Sequence, residues 1–202
     1  MYFELNSLLK NEIIADFCTM NYKKIIIVSG LLMLFHFSAV SQTFTLRSKD
    51  VSGQFTNTFI ARTFGCNGEN KSPQLTWSDA PPETKSFAVT MYDLDAPTGS
   101  GWWHWIVFNI PHNVSELIQN AGDAQMPALP QGAIQSLTDF GTIGYGGPCP
   151  PENDKPHAYI ITLYALKVAN LGIDKNATPA LAGFIMNQNL LAKASLIVYS
   201  KR

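Results

Sequence analysis

The segment Phe87 to Pro111, FAVTMYDLDAPTGSGWWHWIVFNIP, constrains this chain more than any other. Two runs rich in β-branched and aromatic residues, each alternating in polarity, flank a short stretch of Ala, Pro, Thr, Gly and Ser. Period-two patterning bounded by turn formers predicts two strands joined by a tight connection, an antiparallel hairpin. Three of the four tryptophans of the chain crowd around one histidine in its second strand: Trp102, Trp103, His104 and Trp105.

The rest of the chain reads the same way. HAYIITLYALKV, His157 to Val168, alternates strongly, and ASLIVYS near the end predicts a last strand. GCNGENKSPQ, SDAPPETKS and TIGYGGPCPPENDKP carry the Gly, Pro, Asn and Asp that turns require. One late segment is helical in pattern: Thr178 as N-cap and Pro179 at the first helical position precede ALAGFIMNQNLLAKA. Leu181, Phe184, Ile185, Leu190 and Leu191 would form its buried stripe. With 202 residues, 46% hydrophobic, the chain is expected to build one sizeable core. The expected architecture is mostly β, an antiparallel domain over residues 42–202 with a late C-terminal helix. A formal charge of −1 gives no electrostatic case for nucleic acid as a partner.

Residues 1–41 read as a leader. From Met20, Lys23 and Lys24 form a basic n-region and Ile25 to Phe37 an apolar h-region, followed by the small-x-small signal Ala39-Val40-Ser41. The apolar run is short for a membrane span. A signal peptide starting at Met20 is therefore expected, with Gln42 as the mature start, a periplasmic or secreted location and no stable membrane insertion after cleavage. Cys18 leaves with the leader, so Cys66 and Cys149 form an even pair in an oxidising compartment, and a disulfide is the default expectation.

His104 is the residue that a plain core reading explains poorly. By strand parity Trp103 and Trp105 share one face, and Trp102 and His104 the other. Asp93 and Asp95 end the preceding strand, one tight connection away. His157 opens another strand, and Tyr159, two residues on, faces the same way. Asp93, His104, His157 and Tyr159, walled by Trp102, would form a polar cluster at one end of a sheet. Gly144, Gly146 and Gly147 could add a nest of backbone N–H groups. Such a set suits a small anion, and protonated imidazoles would make binding tighten as pH falls.

The stretch YDLDAPTGSGWWHWIVFNIP, followed by GYGGPCPPENDKPHAYIITLYAL, resembles the phosphatidylethanolamine-binding protein family, also called the Raf kinase inhibitor protein family, and in particular its bacterial branch. GCNGENKSPQLTW fits the same branch, and the resemblance spans about residues 44 to 200. It implies a large central antiparallel sheet, a smaller sheet and peripheral helices, with an anion pocket at one edge. It implies pocket roles for Asp93, Trp102, His104, the proline pair Pro150 and Pro151, His157 and Tyr159, with Asp95 bracing the turn. Phosphate, a phosphorylated head group or a carboxylate is the implied ligand, with no cofactor and no catalytic residue. The chain departs from the family pattern at Leu94, where a proline is usual, and at Asn153, where a glycine is usual. Asn tolerates positive φ, so that loop is expected to keep its geometry.

Other chemistries stay open. Two His and two Asp could bind zinc, but no pair has helical i, i+4 spacing. A hydrolase would need a nucleophile; there is no G-x-S-x-G elbow, and a Cys149–His157 pair conflicts with the expected disulfide. An inhibitor or modulator of a kinase or protease, acting through its surface, is the alternative outside small-ligand binding.

Overall fold

The computed structural model describes residues 43–202. The leader expected over residues 1–41, with Cys18, lies outside the described residues. Among the described residues, eight strands and one helix run in the order β1 (Thr45–Arg47), β2 (Leu75–Ser78), β3 (Ser86–Asp93), β4 (Trp102–Pro111), β5 (Glu116–Leu117), β6 (Ile134–Gln135), β7 (His157–Leu166), α1 (Pro179–Gln188) and β8 (Leu190–Ser200). They form a five-stranded antiparallel sheet, β6-β4-β3-β7-β8, and a three-stranded antiparallel sheet, β1-β2-β5.

The main core lies between the two sheets. Leu46, Leu75, Trp77 and Leu117 from the small sheet meet Val89, Met91, Trp105, Val107, Tyr159, Ile161 and Leu163 from the large one. The opposite face of the large sheet takes the helix. There Ala182 and Met186 pack on Ala88, Ile106, Phe108, Tyr164 and Leu166. β3 and β7 are covered on both sides, so nearly every residue in them is buried.

The late helix differs from its sequence expectation at two points. The cap is as expected: the Thr178 hydroxyl accepts from Leu181 N at 3.3 Å, with Pro179 in the first turn. The helix, however, stops at Gln188, and Leu190 and Leu191 belong to β8. Ten register pairs between β8 and β7, Ser200 with His157 to Leu190 with Leu166, outweigh the helical periodicity of NLLAKA. The buried face is Pro179, Ala182 and Met186, while Leu181 and Phe184 are exposed. The small Ala182 faces the sheet, which lets the helix approach closely, and Met186 rather than Leu181 or Phe184 supplies the large buried side chain.

The hairpin β3–β4 also carries what strand parity alone cannot show. Met91 pairs with Trp105 but Tyr92 pairs with Trp103, so His104 is an extra residue, a β-bulge. Trp105 and His104 consequently lie on the same side of the sheet. Trp105 is in the inter-sheet core and His104 lies against Tyr159, whereas Trp103 packs toward the helix side. The expectation that Trp103 and Trp105 share a face is thereby corrected. A second extra residue in β4, between the pairs Phe87–Ile110 and Val89–Val107, coincides with Asn109 at φ 57°.

Candidate functional site

One end of the large sheet carries the site. The last residue of β3, Asp93, pairs with Trp102 at the start of β4 and with Tyr159 near the start of β7. The turn between β3 and β4 is fixed locally. Asp93 Oδ1 accepts from Asp95 N at 2.9 Å, and Thr98 Oγ1 donates to Gly101 O at 2.6 Å. Gly101 sits at φ 66°, and a Cβ there would fall 2.1 Å from the Tyr92 hydroxyl, so a side chain is excluded on both counts.

Asp93, Trp102, His104, Pro150, Pro151, His157 and Tyr159 line a single cavity of about 260 Å³. Asp95 does not line it. Its carboxylate accepts from Ala158 N at 2.8 Å and from Lys155 Nζ at 2.6 Å, which pins the turn to the segment entering β7. Leu94 N–H donates to Ala158 O at 3.2 Å, a bond that a proline at this position could not make. Asn153 adopts φ 64°, the conformation a glycine would otherwise supply.

The proline loop is held covalently. Cys66 and Cys149 are bonded, with Sγ–Sγ 2.06 Å and Cα–Cα 5.9 Å. Arg202 joins the same two loops, donating to Phe64 O at 2.7 Å and pairing with Glu152 at 2.6 Å.

The two histidines differ in kind. His157 is buried and donates through both nitrogens to carboxylates, Nδ1 to Asp93 at 2.8 Å and Nε2 to Asp154 at 3.2 Å. Burial pulls its pKa down, but the hydrogen bonds and charges of Asp93 and Asp154 prevail and lift it above the ordinary imidazole range. Asp154 is held below the carboxylate range by the bond from His157.

His104 is buried too, edge-on to Phe140 and Tyr159 at ring separations of 5.2 and 5.1 Å. Burial pushes its pKa from 6.5 down to about 4, so the ring is neutral near pH 7. Its Nδ1–H donates to Gly146 O at 2.7 Å. That bond fixes the tautomer and leaves Nε2 as an acceptor. Tyr159 is raised well beyond the phenol range, by burial first and then by the Asp93 charge, so its hydroxyl is a permanent donor. Trp102 Nε1–H is buried without a partner.

In the glycine nest expected at Gly144, Gly146 and Gly147, the N–H groups of the last two are not free. Gly146 N donates to His104 O at 2.9 Å and Gly147 N to Asn70 Oδ1 at 2.8 Å. These glycines serve close approach instead, since a Cβ on Gly146 would fall 2.4 Å from the Phe140 ring. Nor do the histidines present protonated N–H groups to an anion: His104 is neutral and His157 directs both N–H groups at carboxylates.

Sequence reasoning missed Phe64, Phe140, Ala96, Pro97 and Thr98, which complete the lining, and Asp154, which holds His157. Only Asp154 carried a local signal, three residues before a histidine. Phe64 and Phe140, with ring centroids 5.9 Å apart and planes tilted by 34°, line both this cavity and a larger cleft of about 690 Å³. Among the described residues lining that cleft, Arg62 alone is formally charged, whereas Asp93, His104, His157 and Tyr159 line the smaller cavity.

A family model described as phosphatidylethanolamine-binding protein matches residues 51–201. The chain belongs to the phosphatidylethanolamine-binding protein family. Within it, the chain is 47% identical over 175 residues to UPF0098 protein YbcL of Escherichia coli (strain K12), covering 86% of this chain and 96% of that one. It is 47% identical over 132 residues to UPF0098 protein YbhB of the same organism, covering 65% and 82%. The crystal structure of E. coli YbcL, described as a new member of the mammalian PEBP family, superposes with a TM-score of 0.78 at 46% identity, covering 80% of this chain and 99% of that one. The homolog CT736 of Chlamydia trachomatis, described as a putative phosphatidylethanolamine-binding protein, gives 0.67 at 31% identity, covering 80% and 99%.

Proposed function

We propose that this family member is an exported protein that binds a small oxyanion, a phosphoryl or carboxylate group, in the cavity between β3, β4 and β7. The supporting observation is the convergence of Asp93, Trp102, His104, Pro150, Pro151, His157 and Tyr159 on one small cavity closed by the disulfide-tied proline loop. Tyr159 O–H and the unpartnered Trp102 Nε1–H are the donors that would meet ligand oxygens. The site has acceptors and a buried ion pair but no activated nucleophile, so binding rather than catalysis is the reading it supports. Export rests on the basic-apolar-small pattern of residues 20–41 and on the paired cysteines.

Thermal melting of the protein with phosphate, acetate or phosphorylethanolamine tests the reading. A ligand at about 100 times its Kd stabilises by about 2.7 kcal/mol. His104→Ala should abolish the shift, and the absence of a shift with all three would refute oxyanion binding. A second reading, contact with an enzyme that the protein inhibits, is favoured by Phe64 and Leu94, both exposed near this end of the sheet. Co-purification of a kinase or protease with the exported protein, lost on Phe64→Ser, would favour it.

A further inference from the structure

The hydrogen-bonding inventory of the cavity has a bias that bears on what form of oxyanion it takes. Among the described residues, the lining includes two acceptor side chains at its polar end: Asp93, whose carboxylate also accepts from Asp95 N and His157 Nδ1, and His104, whose Nε2 is left as an acceptor because Nδ1–H is bound to Gly146 O. Two lining residues with neutral donors accompany them: Tyr159, whose O–H lies beside Asp93, and Trp102, whose Nε1–H is buried without a partner. The second imidazole, His157, is clamped between Asp93 and Asp154. The cluster thus sets two carboxyl groups against one imidazole ring, an excess of acid groups.

The surrounding elements add no free positive charge to it. On the β3 side stand Asp93 and Asp95, the latter paired with Lys155. On the β7 side stand His157 and Tyr159, with Asp154 just before them. The segment packed on β4 brings Asp139, bound to Trp103 N at 2.8 Å, and Tyr145, whose hydroxyl donates to Phe59 O. At the rim, Arg202 is engaged by Glu152 and the Phe64 carbonyl.

A fully ionised oxyanion would therefore face a carboxylate and an imidazole lone pair with nothing to donate to either, an arrangement that costs desolvation without return. An oxyanion that keeps one O–H resolves this. The O–H donates to Asp93 or to His104 Nε2, while the remaining oxygens accept from Tyr159 and Trp102.

Building on the oxyanion reading above, we propose that the cavity selects the acid form of its ligand: a phosphate or phosphomonoester monoanion retaining an O–H, in preference to the dianion and to oxyanions that have no proton to give. The low proton affinity of His104 supports placing that proton on the ligand rather than on the ring.

Inorganic phosphate and sulfate separate the outcomes, because they are alike in shape and only phosphate keeps a proton near neutral pH. Calorimetric titration of the protein is run with each between pH 5.5 and 8, in two buffers of different ionisation enthalpy. The expected result has three parts. Phosphate affinity falls about tenfold per pH unit above its second ionisation. Proton uptake on binding approaches one there. Sulfate binds at least tenfold more weakly than phosphate at pH 6. Equal affinity for the two, or phosphate binding independent of pH, would overturn the acid-form proposal while leaving oxyanion binding intact. Sulfate binding accompanied by proton uptake would place the proton on His104 and overturn it equally. Binding of neither anion at any pH would overturn the oxyanion reading and this inference with it.

Discussion

Opening the Cys66–Cys149 bond is the perturbation with the most readily worked consequence. The bond closes a loop of 83 residues that contains β2 through β6 and ends at the proline pair. Loop entropy for that span gives about 4.5 kcal/mol at 25 °C, provided the denatured chain is otherwise unstructured. For a domain of this size about 2–4 °C of melting temperature accompany each kcal/mol, so reduction should lower Tm by about 9–18 °C. Arg202 bridges the same two loops, but as an exposed ion pair it replaces less than about 1 kcal/mol. The assay is thermal melting with and without a phosphine reductant, with a thiol count on the denatured protein and a non-reducing gel to establish a monomer. The Cys66→Ser/Cys149→Ser double variant should melt where the reduced protein does and should lose reductant sensitivity. A fully reduced monomer melting within about 3 °C of the oxidised one would refute the reasoning, showing that the Phe64 and proline loops hold together without the bond.

Three further outcomes are expected. His104 binds its proton about 2.5 pH units less readily folded than unfolded, so the unfolded chain takes up the extra proton between pH 6.5 and about 4; stability should fall by about 3 kcal/mol across that window on acidification, and His104→Asn should flatten this limb in denaturant titrations. His157 behaves oppositely: its raised pKa contributes stability that is complete below the ordinary 6.5 and is lost as pH rises through the raised value, and Asp93→Ala, which strips its buried partner, should cost about 3–5 kcal/mol and bring the His157 NMR titration down. On the helix, Met186→Ala should cost about 2–5 kcal/mol by urea unfolding while Phe184→Ala stays within about 0.5, the reverse of what the sequence stripe suggests.

The sequence alone determined the elements whose signals are local. Alternation in 87–95, 103–110 and 157–168 marked the central strands, because a sheet buried on one or both faces leaves a period-two or all-apolar record. Thr178-Pro179 marked a helix start, because capping uses residues within one turn. The motifs around Asp93, His104, Pro150 and His157 pointed to one site, and the cysteine pair to one bridge. Tertiary structure alone decided the rest. The bulge at His104 depends on how β4 registers against β3, so parity counted along one strand placed Trp103 on the wrong face. Leu190 and Leu191 became strand because a ten-residue edge of β7 was waiting for them, which no local pattern records. The characters of the two histidines are likewise set from afar. Gly146 O, 42 residues on, fixes one tautomer, and Asp93, 64 residues back, lifts the pKa of the other ring. A proton goes where burial and partners favour it, and both are properties of the folded neighbourhood rather than of the neighbouring residues in the chain.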